Sequence, residues 1–252
     1  MLTLDAGCGN KYKGDAGYNI AIPTNKPKLK QVRRERFLTS KVIIFSGIDG
    51  SGKSTHARIF GHRLKSNGLS VKYVYMRGLG RIFISLPFLA LCRLLKITKV
   101  HRLKGGIRVS EYRFYAYKPL RLLWPLIQLV DSMIYTLILI LLSQHFYDVI
   151  IFDRSSIDTL VDIIADTRLP IETGILQKLF LSLLPRNSIV IILDINEEIA
   201  LTRKRDILGK SYLSVRRRIY LKLAELYHWH VISTNGSFET SIHSIESIIS
   251  RM

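Results

Sequence analysis

The chain has 252 residues, 48% of them hydrophobic and 10% aromatic, which is enough for a full core and too much for wholesale disorder. Lysine and arginine number 38 against 19 aspartates and glutamates, and the formal charge of +19 favours a polyanionic partner: nucleotide phosphates, nucleic acid or an anionic membrane face. Two distant cysteines, Cys8 and Cys92, exclude a disulfide framework and point to a reducing compartment, the cytoplasm.

The first forty residues differ in composition from the remainder of the chain. "LDAGCGNKYKGDAGYNI" is rich in glycine and "TNKPKLKQVRRER" is a basic, linker-like run. "LDAGCG" resembles the glycine-rich loop of S-adenosylmethionine-dependent methyltransferases. That fold needs a whole α/β sheet, however, and the next strand comes too soon. Residues 1–40 therefore read as a flexible basic extension and 41–252 as the folded domain. No charged start precedes an apolar stretch, so no signal peptide is expected.

From residue 41 the pattern alternates. "KVIIFS" (41–46), "VKYVYM" (71–76), "DVIIFD" (148–153), "IVIILD" (189–194) and "HVIS" (230–233) are β-branched and apolar nearly throughout, as strands buried on both faces of a parallel sheet are. Cys92, inside "LALCRLL", reads as a buried thiol. The segment 122–142 is long enough to span a bilayer, although Asp131 near its centre costs about 3 kcal/mol there. Both a span and a core helix are open at this point. Tyr212, Val215, Ile219, Leu223 and Leu226 set a helical stripe over 211–227, and Ile242, Ile245, Ile248 and Ile249 do so over 239–251. Strands alternating with helices predict right-handed βαβ units and a three-layer α/β/α domain on a parallel, five-stranded sheet.

Between the first strand and its helix, Gly47, Gly52, Lys53 and Ser54 fit G-x-x-x-x-G-K-[ST] in full. Such a loop (Gly47, Ile48, Asp49, Gly50, Ser51, Gly52, Lys53, Ser54 and Thr55) turns its amides onto phosphate oxygens, backed by the positive end of the helix. Lys53 is expected to reach the β- and γ-phosphates of ATP, and the Ser54 hydroxyl to ligate Mg²⁺. A second metal acid should close an apolar strand. Asp153 is preferred over its rival Asp194 because Arg154 stands beside it.

"FSGIDGSGKST", "FDRSSIDTLVD", "LDINEEIALTRKRD" with "VRRRIYLKLAEL", and "HVISTNGSFETSIHSIESII" together resemble the thymidylate kinase family of P-loop nucleoside monophosphate kinases, over about 41–251. The resemblance implies a Mg²⁺- and ATP-dependent phosphotransferase with dTMP as default acceptor. Asp49 would lie near the acceptor sugar or metal, and Asp153 would organise Mg²⁺. Arg154 would grip the acceptor phosphate, with Arg77 and Asp158 beside it. Arg203 and Arg205 would close over the transferring group from a LID segment. Gly50 marks the branch that carries its arginine in the LID rather than in the loop. Asp131 precedes Asp153 by the spacing of an aspartate on the family's helix before the third strand, and this favours the core helix over the span. A homodimer is implied, whereas a specific nucleic-acid partner is not.

Arginines suit these roles, because a phosphoryl group in flight spreads charge that planar, permanently charged forks can hold. The consecutive Arg216, Arg217 and Arg218 fan over a wide arc and read as surface charge. Departures from the family pattern gather on the acceptor side. They include Ser155 after the Asp-Arg pair, Asp158 and Ile163 along the next helix, "MRGLG" after the second strand and Ser132 after Asp131. Between 78 and 120 the match ends. His228-x-His230 lacks a metal set, and "EYRFYAYKPLR" reads as an amphipathic helix. Two alternatives stand beside the nucleotide kinase: a kinase of another phosphorylated or membrane-associated acceptor, and a non-catalytic ATP- or nucleic-acid-binding protein.

Overall fold

A computed structural model describes residues 11–13, 19–21, 40–76, 84–102, 108–112, 114–143, 146–171, 174–186, 188–204 and 206–250. The chain divides into two units, Met1–Arg34 and Glu35–Met252. In the first, β1 (Lys11–Lys13) and β2 (Asn19–Ala21) pair antiparallel, with Lys11 opposite Ala21. The "LDAGCG" motif lies outside the described residues.

The second unit runs β3 (Lys41–Ser46), α1 (Lys53–Ser66), β4 (Val71–Tyr75), α2 (Ser85–Leu94), an antiparallel pair β5 (Thr98–Arg102) and β6 (Arg108–Tyr112), and a 3-10 turn at Phe114–Ala116. It continues with α3 (Lys118–Ser143), β7 (Val149–Asp153), α4 (Ser156–Thr167), α5 (Ile175–Ser182), β8 (Ser188–Asp194), α6 (Glu197–Arg203), α7 (Lys210–Tyr227), β9 (His230–Ser233) and α8 (Phe238–Ile249). Five strands form one parallel sheet in the order β4-β7-β3-β8-β9. The α/β fold class and the strand count are those expected.

Continuous apolar strands need cover on both faces, and they have it. Ile43 and Phe45 of β3 pack with Ala57, Phe60 and Leu64 of α1 and with Ile242 and Ile245 of α8. Val42 and Ile44 belong to the opposite layer, with Leu160 and Ile164 of α4 and Leu213 and Leu223 of α7. Each such fully buried side chain contributes about 1.5–3 kcal/mol. The edge strand β9 departs from the pattern, since Val231 is exposed. The register sets Phe45 opposite Asp153, and the Arg154 amide donates to the Phe45 carbonyl at 2.9 Å, so the loops after β3 and β7 leave the sheet side by side.

Three helical expectations need correction, the first being "EYRFYAYKPLR": Glu111 and Tyr112 close β6, and the α-helix opens only at Lys118. In α7 the buried stripe is Leu213, Arg216, Ile219, Tyr220, Leu223 and Ala224, whereas Val215 and Leu226 face solvent. The apolar period was right, but a buried arginine and tyrosine rotate the stripe. The helix α3 is only half a core helix. Trp124, Gln128, Asp131 and Ser132 are buried, while Leu122, Leu126 and Leu137 are exposed. Asp131 accepts from the amides of Ile84 (3.0 Å) and Ser85 (2.9 Å), which caps α2, and the Gln128 side-chain amide donates to the Ser85 hydroxyl. Cys92 is buried as expected.

Candidate functional site

The loop after β3 turns through two glycines that nothing else fits. Gly47 and Gly50 have φ of 139° and 86°, where side chains are rarely tolerated. A Cβ on Gly47 would run into the carbonyl of Leu193 at the end of β8. One on Gly50 would stand 2.8 Å from the Ala200 carbonyl of α6. An arginine is therefore barred at Gly50, and any loop cation has to come from elsewhere. The helix α1 then opens at Lys53 with no acid in its first turn, leaving the positive end of its dipole uncompensated. Ile48 and Ser51 are buried beneath the turn, and Ser54 and Thr55 are half-buried on the first turn of the helix.

Lys53 is folded back into this cradle. Its ammonium donates to the carbonyls of Gly47 (2.8 Å) and Ile48 (2.6 Å). Burial first, and then the Arg154 guanidinium, lower its pKa to about 7. Below the loop, His56 of α1 donates from Nδ1 to the Gly52 carbonyl (2.9 Å), and its Nε2 lies 2.8 Å from the Ser241 hydroxyl of α8. Burial keeps this ring neutral, with its pKa lowered to about 4.

The second acid is Asp153, fully buried at the end of β7. Its Oδ2 accepts from Tyr73 at 2.7 Å, while Oδ1 has no partner among the described residues. A buried carboxylate oxygen left open in this way suits a hard divalent cation or its water. Burial and the bond to Asp153 raise the Tyr73 pKa, so its proton stays in place. The rival Asp194 is occupied: Arg217 grips it bidentately, from Nε at 2.6 Å and Nη2 at 2.9 Å.

Arg154 sits at φ 74°, a backbone conformation costly for any residue but glycine and one that concentrates at working sites. Its Nη2 donates to Asp49 of the loop at 2.6 Å, and Nη1 to Asp158 at 3.3 Å. Burial opposes its charge, but Asp49 and then Asp158 outweigh it and its pKa is raised. Asp158 was expected against the acceptor, yet four donors enclose it. Besides Arg154 these are the Ser46 hydroxyl (2.6 Å), the Ser155 amide (2.9 Å) and the Tyr220 hydroxyl (2.8 Å). Burial raises its pKa, with Arg154 and then Lys53 acting against that. Ser155, in a position where the family pattern differs, caps α4 in a reciprocal box with Asp158.

The cation that reaches the loop from the α6 end is Lys204, 3.3 Å from Asp49. Arg203 instead donates to the Thr234 carbonyl at 3.0 Å. Arg205 and Arg77 lie outside the described residues. Lys204, Tyr220, Ser46 and Tyr73 were thus missed, and only the basic run "TRKRD" held any hint of one of them. The reading of 216–218 as surface charge holds for the exposed Arg218 and needs correction for Arg216. Arg216 is buried, pairs with Asp162 (2.8 Å) and Asp166 (2.7 Å) of α4, and lies 3.7 Å above the Tyr212 ring. Together the elements assemble lysine, arginine and helix-end positive charge around an open carboxylate oxygen, an arrangement able to hold and move phosphate.

Comparison with known proteins adds to the fold. No family model matches the chain, and no curated protein matches it. The fold is similar to that of a solved thymidylate kinase from Ehrlichia chaffeensis, at 16% identity over 84% of this chain and 99% of that one, with a TM-score of 0.53. At this identity the likeness is one of fold: a distant, kinase-like α/β architecture.

Proposed function

We propose that the protein is a Mg²⁺- and ATP-dependent phosphotransferase acting on a nucleoside monophosphate, with dTMP the first acceptor to try. The observation that carries this reading is the phosphate loop with Lys53 in its cradle, facing the Arg154–Asp49–Lys204 cluster across the ends of β3 and β7. The likeness to a thymidylate kinase structure supports the same choice.

In this reading the loop amides and the α1 terminus bind the ATP phosphates, and Lys53 leaves the Gly47 and Ile48 carbonyls for them. Contact with phosphate restores the proton that burial has loosened on its ammonium. Ser54 and Asp153 Oδ1 would hold Mg²⁺, which would supply neutralising charge to the bound phosphates. Arg154 exchanges Asp49 for the acceptor phosphate and keeps its aim because Asp158, pinned by Tyr220 and Ser46, fixes the other side of the guanidinium. Lys204, left with Asp49 by that exchange, stays at the loop beside the transferring group. Arg203 and Arg205 remain the LID cations of this proposal and Arg77 its further acceptor contact. Asp158 acts behind Arg154 rather than on substrate.

The test is incubation with ATP, Mg²⁺ and a panel of nucleoside monophosphates, monitoring ADP and diphosphate. Turnover of at least one acceptor is expected. Protein that binds ATP but turns over none of them overturns the proposal.

A further inference from the structure

The helices α2 and α3 are tied together at one end, and each carries exposed apolar residues on its outer side. Asp131 and Gln128 of α3 hold the first residues of α2, and Phe88 stacks on Trp124 at 5.7 Å. Away from that seam Leu91, Leu94 and Leu95 of the α2 end face solvent, and so do Leu126, Met133 and Leu137 of α3. The exposure is not marginal: Leu94 is 79% accessible and Leu126 55%. Single exposed leucines are ordinary, but apolar stripes on two neighbouring helices mark a surface that something covers.

Charge says what kind of surface it meets. Residues 77–121, which carry α2 and lead into α3, hold eleven lysines and arginines and one acid, Glu111. Arg93 and Lys96, both exposed, stand among the α2 leucines. Leucines interleaved with cations suit a bilayer of anionic phospholipid, where the apolar side chains enter the acyl boundary and the cations meet the headgroups. A second copy of the chain fits poorly, because pairing these faces would set Arg93 and Lys96 of each copy against their equals. Nor does α3 cross the bilayer, although Lys118–Ile138 is long and apolar enough. Its buried side carries Gln128, Asp131 and Ser132, and the bonds of Gln128 and Asp131 to α2 would be lost on insertion.

We infer that α2 and α3 form a docking face that lays the protein on an anionic membrane surface, with Leu94 and Leu126 entering the lipid and Arg93 and Lys96 meeting the headgroups. The inference is independent of the phosphotransferase proposal.

Flotation of the full chain with vesicles tests it, using phosphatidylcholine alone and phosphatidylcholine with about 30 mol% phosphatidylserine. The protein should float with the anionic vesicles, about tenfold more than with neutral ones, and lose most of that binding as NaCl rises from about 0.1 to about 0.5 M. The doubly substituted Leu94→Gln, Leu126→Gln chain changes no charge and touches no buried group. It should bind about tenfold more weakly while keeping its circular dichroism and its ATP binding. Three outcomes overturn the inference. The folded protein stays at the bottom of the gradient, the double variant floats like the parent, or the parent is a dimer that the double variant dissociates with no vesicle binding by either.

Discussion

At the ends of β3 and β7 two carboxylates, Asp49 and Asp158, take up Arg154, Lys204, Tyr220 and Ser46 between them, whereas the outer faces of α2 and α3 leave Leu94, Leu126 and their neighbours in solvent. The first region is held by directional bonds at fixed distances, so each substitution there should have a large and specific cost. The second presents exposed side chains on the outer sides of helices whose inner sides are buried, and should tolerate change there without loss of fold. On the two proposals above, the first region would do the chemistry and the second would decide where it happens.

The largest expected effect breaks the first region alone. Lys53→Ala should lower phosphoryl transfer by about a thousandfold or more, since the charge facing the transferred group disappears. The thermal midpoint should not fall, because the lost ammonium was buried at a cost. Retained transfer in this variant would refute the role of the loop.

Gly50→Arg sharpens the comparison, because it moves a cation into the loop where the backbone forbids one. With φ at 86° and the Ala200 carbonyl only 2.8 Å from the new Cβ, it should cost about 1–3 kcal/mol of stability and most of the ATP binding. A variant as stable as the parent, measured by urea unfolding, would show that the loop relaxes around a side chain at no cost.

His56 gives the pH dependence. Its pKa is lowered from 6.5 to about 4 in the folded chain, so between those values the unfolded chain binds more protons. Stability from this group is therefore complete above pH 6.5 and is lost as pH falls toward 4, by at most about 3 kcal/mol. A His56→Gln variant should lose less stability than the parent between pH 7 and pH 4.5. Equal losses in the two melting series would remove His56 as the cause.

Tyr220→Phe is the smallest change. It takes one of four donors from Asp158 at a cost of about 1–2 kcal/mol. In the phosphotransferase reading it raises KM for the acceptor more than KM for ATP, since Arg154 loses its backing. An equal rise in both would assign Tyr220 a structural role only.

Much of the first region was legible because local chemistry dictates it. The strands declared themselves by unbroken β-branched runs, and the loop by glycines whose backbone angles no other residue adopts cheaply. Asp153 stood out by ending a strand beside an arginine. What stayed hidden depends on contacts between distant segments. Nothing in the sequence near Tyr220 says that its hydroxyl meets Asp158, 62 positions away. The burial of Arg216 rests in the same way on Asp162 and Asp166 from another helix. The run "RKR" announced a cation without telling which of the three would point at Asp49. The uncovered side of α3 was hidden for the opposite reason, since an apolar period marks a stripe but not what lies against it.

The sharing of Asp49 by Arg154 and Lys204 has a further consequence. An empty site lined by bare cations would fill with chloride or any passing monoanion. Here the positive charges are already neutralised by an internal counterion, and a visitor has to outbid a carboxylate at 2.6 Å to be admitted. Halides lack the forked oxygens to do so, whereas a doubly charged phosphate has them. In the proposed phosphotransferase the same residue would thereby act as a filter for valence and shape.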